Sequence, residues 1–168
     1  MNTSQKIIEN KLRKDSGKAQ MYLDIAGVLF IALNTDGIVT LVNKKGCEIL
    51  GYKKEEIIGK NWFDNFIPEN LRNNVKLVFN KLMNGEVEPV EYFENPVVSK
   101  NGEERIIAWH NTLIKDDKGN VTGTLSSGED ITERKQAEDK LNASNQQLKS
   151  ANKQLQETSR QKLLAANK

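Results

Sequence analysis

The chain has one cysteine and one histidine, Cys47 and His110, in 168 residues. A single thiol excludes an internal disulfide and a cysteine-based metal cluster. Such sparse cysteine suits a reducing, cytoplasmic setting. With one residue of each kind, almost no nucleophile–base pair can be assembled. The sequence has no P-loop, no G-x-S-x-G elbow and no H-E-x-x-H zinc motif. An enzyme is therefore the least favoured class for this chain. No apolar run approaches the ~20 residues that span a bilayer. The opening MNTSQKIIENKLRK lacks the apolar centre of a signal peptide. Charge of one sign is also not in excess. Lys+Arg 25 against Asp+Glu 23 leaves +2, too balanced to point to nucleic acid or to direct insertion in a membrane.

What is present is unevenly distributed. All aromatic residues fall between Tyr22 and Trp109, all three prolines between Pro68 and Pro96, and no Gly or Pro follows Gly128. The core is thus central, and the ends are of another kind. We divide the chain into an N-terminal helical cap and dimerisation segment (1–26), a core domain (27–130) and a C-terminal helix (131–168).

Residues 2–26 read as helical, with Gly17 as a break. VLFIALN and IVTLVN flank an Asp36-Gly37 turn, the pattern of a β-hairpin. KKGCEILGY, KKEEIIG and KNWFDNFIP follow, each closed by Gly or Pro, and read as short helices. In PENLRNNVKLVFNKLMNG the apolar residues Leu71, Val75, Val78, Phe79 and Leu82 recur at helical spacing, and Gly85 ends the run. VEYFENPVVSK, EERIIAWHNTLIKD and VTGTLSSGED are three strands joined by Asn-Gly and Asp/Gly/Asn turns, which make an antiparallel meander. Strands and helices do not alternate one for one, so the class is α+β with an antiparallel sheet.

The last strand runs straight into a polar helix. Asp130 and Glu133 stand where an N-cap and its reciprocal acid would stand. The tail carries four acids and eight bases, and its Leu141, Leu148 and Leu155 lie seven apart. That narrow stripe is a coiled-coil seam, not a broad core-packing face. With the leucines at d positions, Glu138, Asn145 and Asn152 occupy a positions. Asn at a favours a parallel dimer in one register at some cost in stability. A solvated, frayed tail is the other reading of the same residues.

The order of elements, with AGVLFIALNTDGIVTLVNKKGCEILGYKKEEIIGKNWFDNFIP and NGEERIIAWHNTLIKDDKGNVTGTLSSGEDITERKQAED, resembles the PAS sensor-domain family (PAS/PAC, S-box). The resemblance covers roughly residues 18–140, and Asp130-Ile131-Thr132 matches the family's closing junction. It implies a PAS fold: a five-stranded antiparallel sheet with small helices on one face, flanked by an N-terminal helix and a long C-terminal helix. It further implies the sensory domain of a bacterial or archaeal sensor histidine kinase, dimeric, with the kinase or another output domain as partner. The catalytic domains of such a kinase are not in this chain. The tail also looks like the linker into a histidine-kinase dimerisation helix.

Cofactors common in that family can be tested on residues. Flavin-binding light-oxygen-voltage members carry a cysteine where Gly59-Lys60-Asn61 is followed here by Trp62, which cannot form the thiol adduct. Haem-binding members supply a histidine from the longer helix, and residues 69–84 contain none. His110 as a haem ligand and Cys47 as a chromophore thiolate are the remaining candidates, against the plainer readings of a surface histidine and a small buried hydrophobe. A small organic ligand stays open. A pocket for it would lie between sheet and helices, with Trp62, Phe66 and Phe79 on the helix side and Phe30 and Trp109 on the sheet side. The same aromatics could instead simply fill the core. Two functions compete: a sensor that dimerises through Ile8, Leu12 and the tail leucines and relays a ligand- or partner-induced change through the C-terminal helix, and a constitutive interaction module without ligand.

Overall fold

The computed structural model describes residues 17–86 and 92–166. Five strands form one antiparallel sheet: β1 (Leu29–Asn34), β2 (Val39–Val42), β3 (Tyr92–Val98), β4 (Glu104–Lys115) and β5 (Val121–Asp130). Their order across the sheet is β2-β1-β5-β4-β3. The first hairpin and the meander thus meet where β1 pairs with β5, which joins the two ends of the domain. Helical residues 17–25 (α1) precede β1. Between β2 and β3 lie α2 (Lys44–Leu50), α3 (Lys54–Ile57), α4 (Trp62–Phe66), a 3-10 turn (Glu69–Leu71) and α5 (Arg72–Met83). The α6 helix (Thr132–Ala166) follows β5.

Local chemistry explains the elements. Gly37, at φ 75°, closes the β1–β2 turn, and Asn34 Oδ1 accepts the Asp36 and Ile38 amides. Asn61 caps α4 by accepting from the amides of Phe63 (3.1 Å) and Asp64 (3.2 Å). Its own amide donates to the Asp36 carbonyl at 3.2 Å, which ties the hairpin turn to the start of α4. In the β4–β5 turn, Asp116 accepts the Lys118 and Asn120 amides.

Strand alternation sends one face of the sheet inward. Leu29, Ile31 and Leu33 of β1, Ile107 and Trp109 of β4 and Val97 of β3 meet Trp62, Phe63, Phe66, Val75 and Phe79 of the helices in one apolar cluster. This is the α+β, PAS-type architecture the sequence implies. One local expectation differs, and two others fall at or beyond the edge of the described residues. Gly17 is the first described residue and is helical, so whether the helix breaks there lies outside the described residues. The C-terminal helix begins at Thr132, so Ile131 is not part of it. Ile8 and Leu12 lie outside the described residues. The chain separates into two compact units, the first ending at Ile131 and the second beginning at Thr132.

Candidate functional site

The inner face of the sheet and the helices line a partly open cavity of about 50 Å³. Trp62 and Phe63 from α4, and Val75, Val78, Phe79 and Leu82 from α5, line it on one side. Opposite them stand Ile31, Leu33, Phe93 and Trp109 from the strands. The Trp109 indole lies across Gly128 of β5. A Cβ at Gly128 would come within 2.8 Å of that ring and 2.6 Å of Ile107. Trp62 meets Trp109 edge-on at 5.8 Å and Phe66 at 5.1 Å. The two indoles thus take up much of the space between sheet and helices.

The remaining wall is polar. Asn95, Asn111, Thr124 and Ser126 reach the cavity from β3, β4 and β5. Ser126 Oγ donates to Asn111 Oδ1 at 2.7 Å, and Asn95 Nδ2 donates to the Pro96 carbonyl at 2.8 Å. Ser126 and Asn111 are register partners across β4 and β5, so the bond follows from strand pairing. Among the described residues no charged side chain lines the cavity. Pockets for organic ligands usually have ~300–1,000 Å³. This one has room for a few waters at ~10–15 Å³ each. The polar quartet was not singled out from the sequence. Its signal was alternation: Asn111 shares a face with Trp109, and Thr124 and Ser126 share one with Gly128.

The five expected pocket residues divide. Trp62, Phe79 and Trp109 line the cavity. Phe66 is buried one layer away, between Trp62 and Tyr52, whose ring centroid is 5.6 Å from its own. Phe30 does not belong to the site. It pairs with Ser127, and Ser127 with His110, whereas Trp109 pairs with Gly128 and Gly128 with Leu29. The pleat therefore puts Phe30 and His110 on the outer face. His110 is exposed there, its ring 5.1 Å from that of Tyr92, and cannot reach a group in the cavity. Cys47 is half-buried against the core. Burial pushes its thiol up, and the nearby Lys54 opposes this only in part. That is the reverse of a reactive thiolate. Among the described residues no cluster of His, Cys, Asp or Glu could hold a metal ion.

At the far end of β5, the Ile131 amide donates to the Ile106 carbonyl at 2.9 Å, and Ile131 is buried. Asp130 ends β5, and its carboxylate stands 3.9 Å from Arg105. Thr132 opens α6 and Glu133 lies in its first turn. One residue therefore separates strand from helix, and Asp130 sits one position earlier than a capping box would have it. Within α6, Leu141, Leu148 and Leu155 are exposed by 62%, 58% and 71%. Leu163, which falls outside the heptad stripe, is exposed by 66%. No helix among the described residues is long and apolar enough to cross a membrane.

The family model for the PAS fold matches residues 23–136, and the chain belongs to the PAS family. Over 156 residues it is 30% identical to sporulation kinase C of Bacillus subtilis (strain 168), an alignment that takes in 90% of this chain and 34% of the kinase. The chain thus spans about a third of that relative's length. The PAS domain of a Colwellia psychrerythraea protein has the same fold, with a TM-score of 0.60 at 20% identity over 73% of this chain and 98% of that one. A sensory box histidine kinase/response regulator from Burkholderia thailandensis E264 matches with a TM-score of 0.57 at 20% identity, over 79% of this chain and 98% of its own. This is a PAS sensory domain related to those of histidine kinases.

Proposed function

We propose that the chain is the cytoplasmic sensory module of a two-component histidine kinase. It dimerises in parallel through Leu141, Leu148 and Leu155 and passes changes in its sheet to a downstream kinase domain through α6. The observation that carries this reading is the junction. The end of β5 is held to β4 through Ile131, and the helix starts at the next residue, so a shift of the strand reaches the helix with little slack. Kinship with sporulation kinase C supports a kinase as the output. In this reading Asp130, Thr132 and Glu133 form the signal junction, their polar groups suiting the positive end of the helix. The test is Asp130→Ala. Loss of a carboxylate near a helix N-terminus costs about 0.3–1 kcal/mol, so helicity by far-UV circular dichroism should fall while near-UV signals from Trp62 and Trp109 persist. Equal loss of both signals would mean that the junction belongs to the core and relays nothing.

The cavity of about 50 Å³ favours a second reading, a constitutive interaction module without ligand. Under either reading the purified protein carries no flavin and no haem. A stoichiometric flavin or Soret band would refute both. Saturable binding of an organic molecule that alters dimerisation would separate the sensor from the constitutive module.

A further inference from the structure

The N-terminal helix is held to the domain in an unusual way. Its apolar side chains Met21, Tyr22 and Ile25 are exposed by 51%, 66% and 73%. Leu23 is half-buried, and the main attachment is polar and centred on Asn43, which is fully buried. Asn43 Nδ2 donates to the Leu23 carbonyl of α1 at 2.8 Å and to the Val28 carbonyl at 2.9 Å. Asn43 Oδ1 accepts the Phe30 amide of β1 at 2.9 Å and the Gly46 amide of α2 at 3.0 Å. One side-chain amide thus uses two donors and two acceptors to join α1, β1 and α2. Aspartate would lose both donors and set oxygen against two carbonyls; serine is too short to span the gap. Asp24 of α1 adds a second tie. Its Oδ1 accepts the Lys44 amide at 2.9 Å and Gln20 Nε2 at 3.0 Å. The start of α2 is therefore capped partly from its own end and partly from α1.

The same amide bears on the output strand. Both backbone polar groups of Phe30 bond to Asn43: the Phe30 amide donates to the side-chain Oδ1 at 2.9 Å, and the Phe30 carbonyl accepts the Asn43 backbone amide at 3.2 Å. In an antiparallel ladder the neighbouring residues turn the other way, so Leu29 faces its partner Gly128 on β5. Gly128 lies two residues before Asp130, where β5 ends.

We infer that Asn43 and Asp24 form a latch that couples docking of α1 to order at the end of β5. Input that pulls on or releases the N-terminal helix is thereby read at the strand that leads into α6, without a ligand in the cavity. Apolar contact weakens gradually with separation, whereas a set of short directional bonds is made or lost together. A helix held mainly by the second, with Leu23 its half-buried apolar contact, tends to two states. Only the final step, from β5 into α6, rests on the relay proposed above.

Hydrogen exchange on the full chain tests the latch. Asp24→Ala removes one tie and leaves the buried amide in place, so the fold survives. Exchange across 17–25 and at the Lys44 amide should quicken about tenfold, the scale of a lost charge-assisted bond. The Gly128 amide should quicken with them, while the Ile57 and Ile107 amides stay at wild-type rates. Asn43→Ala should show the same pattern more strongly, or, should it unfold the domain, Asp24→Ala alone decides. Unchanged exchange in α1, or quickened α1 with Gly128 unchanged, overturns the coupling. Quickened α1 and Gly128 with α6 unaffected leaves the latch standing and sinks the relay instead.

Discussion

The sheet domain and the α6 helix are made of different material, and the difference separates what each can do alone. The domain buries Trp62, Trp109, Phe63, Phe66 and Phe79 against its own strands and needs no second molecule to hide them. In α6, Leu141, Leu148 and Leu155 are all more than half exposed, and between them lie Asn, Gln, Lys and Ser. An isolated polar helix of 35 residues gains little from propensity alone. The first region is stable by its interior; the second, on the reading proposed above, takes its order from a partner surface. A signalling module uses both, one to keep its shape and the other to change state when a few kcal/mol shift.

The largest break in that contrast is Trp109→Ala. Deleting a buried indole should cost about 3–5 kcal/mol, read as a drop in the unfolding midpoint in urea. Leu148→Ala, at a position exposed in the single chain, should change the unfolding free energy of the sheet domain by less than about 0.5 kcal/mol, whatever it does to pairing of the tail. Comparable effects at the two positions would erase the distinction. Gly128→Ala comes next. The new methyl meets the Trp109 ring at 2.8–2.9 Å and Ile107 at 2.6 Å, and overpacking of this kind costs about 1–3 kcal/mol. A neutral result would show that the indole can leave Gly128 freely.

A smaller effect concerns pH. The Lys44 amide, helped by Gln20 and the charges of Lys54 and Lys44, holds the Asp24 carboxyl below its ordinary 3.8. A lowered folded value means the charged form supports docking of α1. That support is complete above pH 3.8 and is lost as pH falls through the folded value. The Lys44 amide resonance should therefore shift in a single step below pH 3.8, and Asp24→Asn should abolish the step while leaving the Trp109 indole signal alone. A step that survives the substitution belongs to another carboxylate.

Much of the domain was legible because its turns are chemically marked. Asp36-Gly37, Asn101-Gly102 and Asp116 to Asn120 bound the strands, and the spacing of Val75, Val78, Phe79 and Leu82 marks α5. Phe30 was misplaced for a physical reason. VLFIALN is apolar on both faces, so the pleat alone does not say which residues point inward, and pairing with β5 decides it. The polar wall of Asn95, Asn111, Thr124 and Ser126 is assembled across three strands, and no local spacing announces that. Asn43 looked like the last residue of a strand. Its role depends on α1 returning alongside it, from 20 residues earlier in the case of Leu23. Trp62 was legible as an aromatic on the helix side of the core, and it packs edge-on against Trp109.

The claim that the tail takes its order from a second copy is tested most directly by sedimentation of the wild type and Leu148→Asp, with helicity recorded on the same samples. In a paired seam the substitution sets two carboxylates against each other in a desolvated contact, at a cost of several kcal/mol. The account predicts a wild-type dimer whose helicity rises with concentration. It predicts a variant that is weakened at least about a hundredfold in dimerisation and has lost helix, with the near-UV spectrum of Trp62 and Trp109 unchanged. A variant with the wild-type dimerisation constant and helicity would contradict it, and any dimer would then be held by surfaces other than α6.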